Sequence, residues 1–209
     1  MQHEIMFFGC SYTDTKSNYV DADKMYPAIL AKHFKKTEKN FAKQGCGNYR
    51  SFDILSKTDL VNDSILIFQI TELSRIQWYD TSIKDINLNQ SKDRCLLHVY
   101  NDRFLIHELI RNLNLLVKLC RASNIKLVIW NIARFFDHDL DTFFENELSK
   151  YPEYVYLDNS LDGPDTYRVD NGRDGEGKEI GLGHPGPLSH QIIAKKLIAK
   201  YNQLYSFWD

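Results

Sequence analysis

Three short stretches hold residue types suited to acyl transfer. The apolar run Ile5-Met6-Phe7-Phe8 stops at Gly9 and gives way to Cys10-Ser11-Tyr12-Thr13-Asp14. Later the chain reads Lys43-Gln44-Gly45-Cys46-Gly47-Asn48, and near its end Gly181-Leu182-Gly183-His184-Pro185-Gly186. Acyl transfer needs a nucleophile, a base to take its proton, and donors aimed at the oxyanion. Ser11 on a tight turn suits the first role, and its backbone N–H suits the third. Gly45 lets the backbone come close and offers a second N–H. A polar side chain after the third strand offers another. His184 suits the base, and the proline after it fixes the turn into a closing helix.

These residues work together only if the elements around them converge. Ile5–Phe8 has the pattern of a strand buried on both faces. Helical spacing follows from Ala22 to Phe34, with Pro27 tolerated in the first turn. "KNFAK" reads as a weak strand, "RSFDILSKTDL" as a helix and "SILIFQI" as the clearest strand. From about Thr71 to Tyr100 the chain is polar without a clean period, too long for an ordinary connection, and reads as a functional excursion over the active-site edge. Leu105, Leu109, Leu113, Leu116 and Cys120 then mark a strong amphipathic helix, capped by Asn101 or Asp102. "IKLVIWNI" reads as a strand, "DLDTFFENELSKY" as a helix and "YVYL" as a last strand. The Gly- and Asp-rich run from Asp158 to Gly183 reads as a loop. "PLSHQIIAKKLIAKYNQLY" closes the chain as a helix.

This alternation predicts one α/β domain over residues 1–209: three α/β/α layers around a mostly parallel sheet of about five strands. Ligands of such sheets lie beyond the carboxyl ends of the strands. Ser11, Gly45, the residues after the third strand and His184 all fall there.

The ordered set resembles the SGNH (GDSL-type) hydrolases, a family of flavodoxin-like α/β/α fold. That family carries Gly-Asp-Ser after the first strand, a glycine after the second, Gly-x-Asn-Asp after the third and Asp-x-x-His-Pro before the last helix. The matches here are Gly9-Cys10-Ser11, Gly45, and His184-Pro185-Gly186. The resemblance spans the whole chain and implies esterase activity, with Ser11 and His184 catalytic. Thr71, or Gln69 one position off in phase, stands where the family has its oxyanion asparagine. Cys10 replaces the aspartate, and Gly181 stands three residues before the histidine, where the family has its triad acid. The orienter of His184 is then a backbone carbonyl or an acid of the same loop: Asp174, Glu176 or Glu179.

Other readings of single residues stay open. Ser11 can cap a turn, and Asn48 can cap the next helix or bound the substrate pocket. Trp78 and Tyr79 can form a small core under the excursion or a stacking platform for a sugar. Glu72 and Arg75 can hold a ligand or pair with each other. His190 reads as structural.

Composition narrows the class. The 209 residues are 43% hydrophobic and 26% charged, with a net charge of -2. That balance argues against nucleic acid held by bulk phosphate neutralisation. The four cysteines form no CxxC pair or Cys/His zinc pattern. No metal or cofactor is expected, and Cys10 and Cys120 read as buried free thiols, which suggests a reducing compartment. No signal peptide or membrane-spanning run is visible, so a cytoplasmic location is expected. A phage or polysaccharide-modification setting is suggested by similar-looking proteins. The expected partner is a small-molecule or glycan ester. The alternative is a binding protein on the same fold that has kept the pocket and lost the chemistry. A nucleotide-binding domain is the weaker third reading, since "GCSYTD" lacks the glycines of a dinucleotide loop and the Gly-Lys-Ser/Thr of a P-loop.

Overall fold

A computed structural model of the protein describes residues 4–16, 20–73, 75–79, 83–87, 102–131, 138–157, 170 and 184–206, with backbone alone for 76–79, 83–87 and 138–140. The strands are β1 (Glu4–Phe8), β2 (Thr37–Asn40), β3 (Ile65–Ile70), β4 (Arg75–Tyr79), β5 (Ile83–Asn87), β6 (Lys126–Asn131) and β7 (Tyr154–Val155). The α-helices are α1 (Tyr26–Phe34), α2 (Asn48–Ser56), α3 (Asp102–Ala122), α4 (His138–Leu148) and α5 (Pro187–Tyr205).

Strands β1, β2, β3, β6 and β7 form a parallel sheet in the order β2-β1-β3-β6-β7. The apolar runs of β1 and β3 explain their central places. Ile5 to Phe8 and Ile65 to Ile70 are buried on both faces, as helices on both sides require. Successive side chains point to opposite faces. Met6, Phe8, Leu66 and Phe68 meet α2, α3 and α4 through Leu55, Leu109, Leu113 and Phe144. Ile5, Phe7, Ile67 and Trp130 meet α1 and α5 through Tyr26, Leu30, Ile193 and Leu197. Tyr26 also sets its ring edge-on to Trp130 at 5.3 Å between centroids. The expected single α/β/α architecture with a five-stranded parallel sheet is what the chain adopts.

Several boundaries differ from the sequence reading. The second strand lies at Thr37–Asn40 and shares only Lys39 and Asn40 with "KNFAK", because its register is set by β1, where Glu4 faces Thr37 and Phe7 faces Asn40. Its burial alternates between exposed and intermediate. An edge strand of this kind is specified by its partner and leaves little hydropathy signal. The helix expected from Ala22 is divided into a 3₁₀ turn (Ala22–Lys24), an extended Met25 and α1, with Pro27 in the first turn of α1. The polar stretch after Thr71 contains the antiparallel pair β4–β5. Such a ribbon is held by ladder hydrogen bonds, which a search for apolar period does not see.

Strand β2 lies on one side of β1 and β3 on the other. The order therefore reverses between β1 and β3, and the crevice beyond their carboxyl ends is the switch point where open α/β sheets bind ligands. No helix among the described residues is long and apolar enough to cross a membrane.

His190 on α5 is 1% exposed and accepts the Tyr26 N–H at Nδ1 over 3.4 Å. Burial pushes its pKa down to about 4; Asp170 opposes the shift and His184 adds to it. The folded chain thus holds His190 neutral where an unfolded histidine protonates. The unfolded state binds more protons between the two pKa values, so stability falls as pH drops from about 6.5 toward about 4, by on the order of 3 kcal/mol. Urea unfolding at pH 7 and pH 5 measures this, and the dependence should weaken in His190→Gln.

Candidate active site

The turn after β1 begins at Gly9. A Cβ there would lie 2.3 Å from Gln69 Oε1 and 2.8 Å from Gln69 Cβ, so only glycine fits beside this side chain. The chain then folds back on itself: the N–H groups of Thr13 and Asp14 both donate to the Cys10 carbonyl, at 3.0 and 2.9 Å. Ser11 sits inside this turn, 7% exposed. Its Oγ lies 3.0 Å from His184 Nε2. With Nε2 unprotonated, the hydroxyl donates to the ring, the arrangement a general base needs. The edge of the Tyr12 ring contacts the His184 ring at 5.6 Å.

The loop after β2 is tied to this turn. Asn40 Nδ2 donates to the Thr13 carbonyl at 2.6 Å, and Asp14 Oδ2 accepts the Gln44 N–H at 3.0 Å. Gly45 follows at the exposed tip with φ +77°, in the left-handed region that favours glycine. Gly47 is needed for a different reason. A Cβ on it would come within 1.9 Å of the Arg75 carbonyl oxygen, so the start of α2 passes directly against β4.

Asn48 opens α2 and is 4% exposed. Its side chain spans to the residue after β3: Oδ1 accepts the Thr71 N–H at 2.9 Å and Nδ2 donates to the Thr71 carbonyl at 3.0 Å. Asn48 does not cap α2; Gly47 is the N-cap residue and no side chain bonds there. Thr71 is fully buried, its N–H is held by Asn48, and its hydroxyl has no hydrogen-bond partner among the described residues. On the α2–α3 side of the same edge, Asn48, Tyr49, Phe52, Leu73, Leu105 and Leu109 line a small cleft of about 10 Å³.

His184 is delivered by the segment leading into α5, and the start of that helix is anchored from outside. The Asp170 carboxylate accepts the N–H groups of Leu188 and Ser189 at 2.9 and 2.8 Å, and the Ser189 hydroxyl at 2.6 Å. The Asp170 carbonyl accepts the Gly186 N–H at 3.0 Å. A carboxylate at a helix N-terminus satisfies orphan donors and meets the positive end of the helix dipole.

Of the residues expected from sequence, Ser11 and His184 are brought into contact, Gly45 is fastened to the same turn through Gln44, and Thr71 and Asn48 bond to each other. Glu72 and Arg75 pair at 3.1 Å. Trp78 and Tyr79 lie on β4, described as backbone only. Asp174, Glu176 and Glu179 lie outside the described residues. Cys10, Cys46 and Cys120 are buried free thiols. No cluster of three or more His, Cys, Asp or Glu among the described residues could hold a metal ion. Sequence reasoning missed Asp14 and Asp170 altogether. It did not foresee that Gln69 bonds to the turn after β1, although a glutamine inside "ILIFQI" is a polar residue in a buried run, which is a visible signal.

No protein-family model and no curated protein matches the chain. Solved structures do match its fold. The acetyl xylan esterase Est2A from the rumen bacterium Butyrivibrio proteoclasticus aligns with 99% of this chain and 65% of its own, at 14% identity and a TM-score of 0.59. A carbohydrate esterase whose active site displays divergent catalytic and non-catalytic binding functions aligns with 99% of this chain and 70% of its own, at 15% identity and a TM-score of 0.57. A protein assigned to the lipolytic G-D-S-L family, from Desulfitobacterium hafniense DCB-2, aligns with 94% of this chain and 98% of its own, at 10% identity and a TM-score of 0.53. The chain thus spans about two thirds of the carbohydrate esterases and nearly all of the G-D-S-L protein. Its fold is that of these esterases and of the G-D-S-L protein.

Asp170→Ala removes the anchor of α5. We expect a loss of about 1–2 kcal/mol, the usual cost of a lost cap, read from urea unfolding at pH 7. Asp170→Asn, which keeps an acceptor oxygen, should recover part of it.

Proposed function

We propose that this chain is a serine esterase of SGNH type. The observation that carries the proposal is the 3.0 Å contact between Ser11 Oγ and His184 Nε2, at the switch point between β1 and β3. Ser11 Oγ attacks the ester carbonyl carbon as His184 Nε2 takes its proton. The tetrahedral oxyanion is held by the backbone N–H groups of Ser11 and Gly45, with Thr71 as the third donor if its enclosed hydroxyl turns toward the site. Collapse breaks the bond to the alcohol oxygen, and His184 returns the proton to that oxygen. Water then attacks the acyl-enzyme, gives its proton to His184 and frees Ser11 and the acid.

The proposed substrate is a small O-acyl group on a carbohydrate or similar alcohol. Two supports are the low exposure of Ser11, which leaves little room for a long acyl group, and the carbohydrate esterases of the same fold. Trp78 and Tyr79 are proposed to carry the sugar, and Asn48 to shape the pocket wall through its hold on Thr71. Asp174 or Glu179 is proposed to orient His184, in place of the acid absent at Gly181.

p-Nitrophenyl acetate and acetylated xylo-oligosaccharides test the activity. Hydrolysis by the wild-type chain should drop by roughly three orders of magnitude or more in Ser11→Ala and in His184→Ala. A fluorophosphonate should form its adduct at Ser11. Hydrolysis no faster than in Ser11→Ala, with no adduct, would overturn the proposal.

A second reading is a glycan-binding protein on the same fold. It is favoured by Gly181 at the triad-acid position and by the non-catalytic binding that one fold neighbour displays. Glycan binding that persists unchanged in Ser11→Ala, with no turnover by the wild-type chain, is its expected signature.

A further inference from the structure

Gln69 is the penultimate residue of β3 and is fully buried. Its side chain does not stay within its own strand. Oε1 reaches across to the turn after β1 and accepts the Cys10 N–H at 3.0 Å. The same oxygen accepts the Thr13 hydroxyl at 2.5 Å, and Thr13 Oγ1 lies 2.6 Å from the Tyr26 hydroxyl. One acceptor therefore holds both sides of Ser11: the amide of the residue before it and a side chain two residues after it.

The other end of the carboxamide, Gln69 Nε2, is buried and makes no hydrogen bond among the described residues. A flipped amide would not mend this, because it would turn the N–H₂ group toward the Cys10 N–H. A buried donor left unpaired is unfavourable, and a methionine of similar length would fill the space without it. The polar end of Gln69 thus has one visible task, which is to hold the nucleophile turn. Space for it exists only because Gly9 has no Cβ.

We propose that Gln69 is a positioning residue for Ser11: its Oε1, bonded to the Cys10 N–H and the Thr13 hydroxyl, fixes the turn so that Ser11 Oγ stays in line with His184 and the Ser11 N–H points into the oxyanion site. This inference rests on the serine-esterase reading. Gln69 touches no substrate and acts through the turn alone. Without it the Cys10 N–H loses its acceptor, and Ser11 samples orientations away from His184.

Wild-type chain and Gln69→Met are compared in fluorophosphonate labelling at Ser11, in steady-state hydrolysis of p-nitrophenyl acetate and in thermal unfolding. The expected result is a fall of about tenfold to a hundredfold in labelling rate and in kcat, with KM unchanged to within about twofold. A role confined to stability would lower the melting temperature and leave the labelling rate of the folded variant alone. A labelling rate within about twofold of wild type overturns the inference while leaving the esterase reading standing. If the wild-type chain takes no label, the esterase reading falls and this inference with it. Should Gln69→Met not fold, amide exchange at Cys10 is read on the wild-type chain. Protection there supports the hydrogen bond, and exchange at the rate of a free turn amide overturns the proposal.

Discussion

The carboxyl ends of β1 and β3 lie side by side, and the contact between Gly9 and Gln69 sets how close the turns beyond them can come. A hydrogen atom at Gly9 leaves room for the Gln69 carboxamide; a methyl group there would overlap its oxygen. Once that carboxamide is in place, Cys10 and Thr13 are held to it, Thr13 reaches Tyr26 on α1, and Ser11 is carried between them. The turn is tied to the sheet through side chains as well as through its own backbone bonds to the Cys10 carbonyl. The nucleophile proposed at Ser11 needs this kind of support, because a displacement of about an ångström is enough to cost a large part of the rate.

The rest of the site is fastened by the same method: a short polar side chain on one segment satisfies backbone groups on another. Asn48 locks the start of α2 to Thr71 after β3. Asp14 and Asn40 join the turn after β1 to the end of β2 and the loop that follows it. Asp170 holds the first turn of α5 just beyond His184. The three loops that approach Ser11 are thus braced individually, while the sheet beneath them is braced by apolar burial. This division suits a site whose parts come from distant stretches of chain, since each brace is specific in direction and hydrophobic contact is not.

His190 shows how tightly the two systems meet. It lies six residues after His184 and shares α5 with the residues that Asp170 anchors, but it belongs to the core: buried, stacked against Tyr26 at 6.0 Å and held neutral by burial. His184 is half-buried at the crevice. Six residues apart, the two histidines have different surroundings: His184 is half-buried beside Ser11 and Tyr12, and His190 is buried against Tyr26.

By itself the sequence was enough for the α/β class, the central strands and the long helices, because apolar runs such as Ile5–Phe8 and the spacing of Leu105, Leu109, Leu113 and Leu116 reflect burial directly. It also singled out Ser11 and His184, whose residue types and places at strand and helix ends are local properties. It placed the edge strand β2 a few residues late and did not reveal the β4–β5 ribbon, because both are specified by pairing with a partner strand. Nor did it reveal what Gln69, Asn48 and Asp170 do. Gln69 is 59 residues from Cys10 and Asn48 is 23 from Thr71, and the bonds between them exist only after the sheet has brought those ends together. Hydropathy reads where a residue is buried. A hydrogen bond across the fold depends on distance and direction between two segments, and the tertiary structure alone decides those.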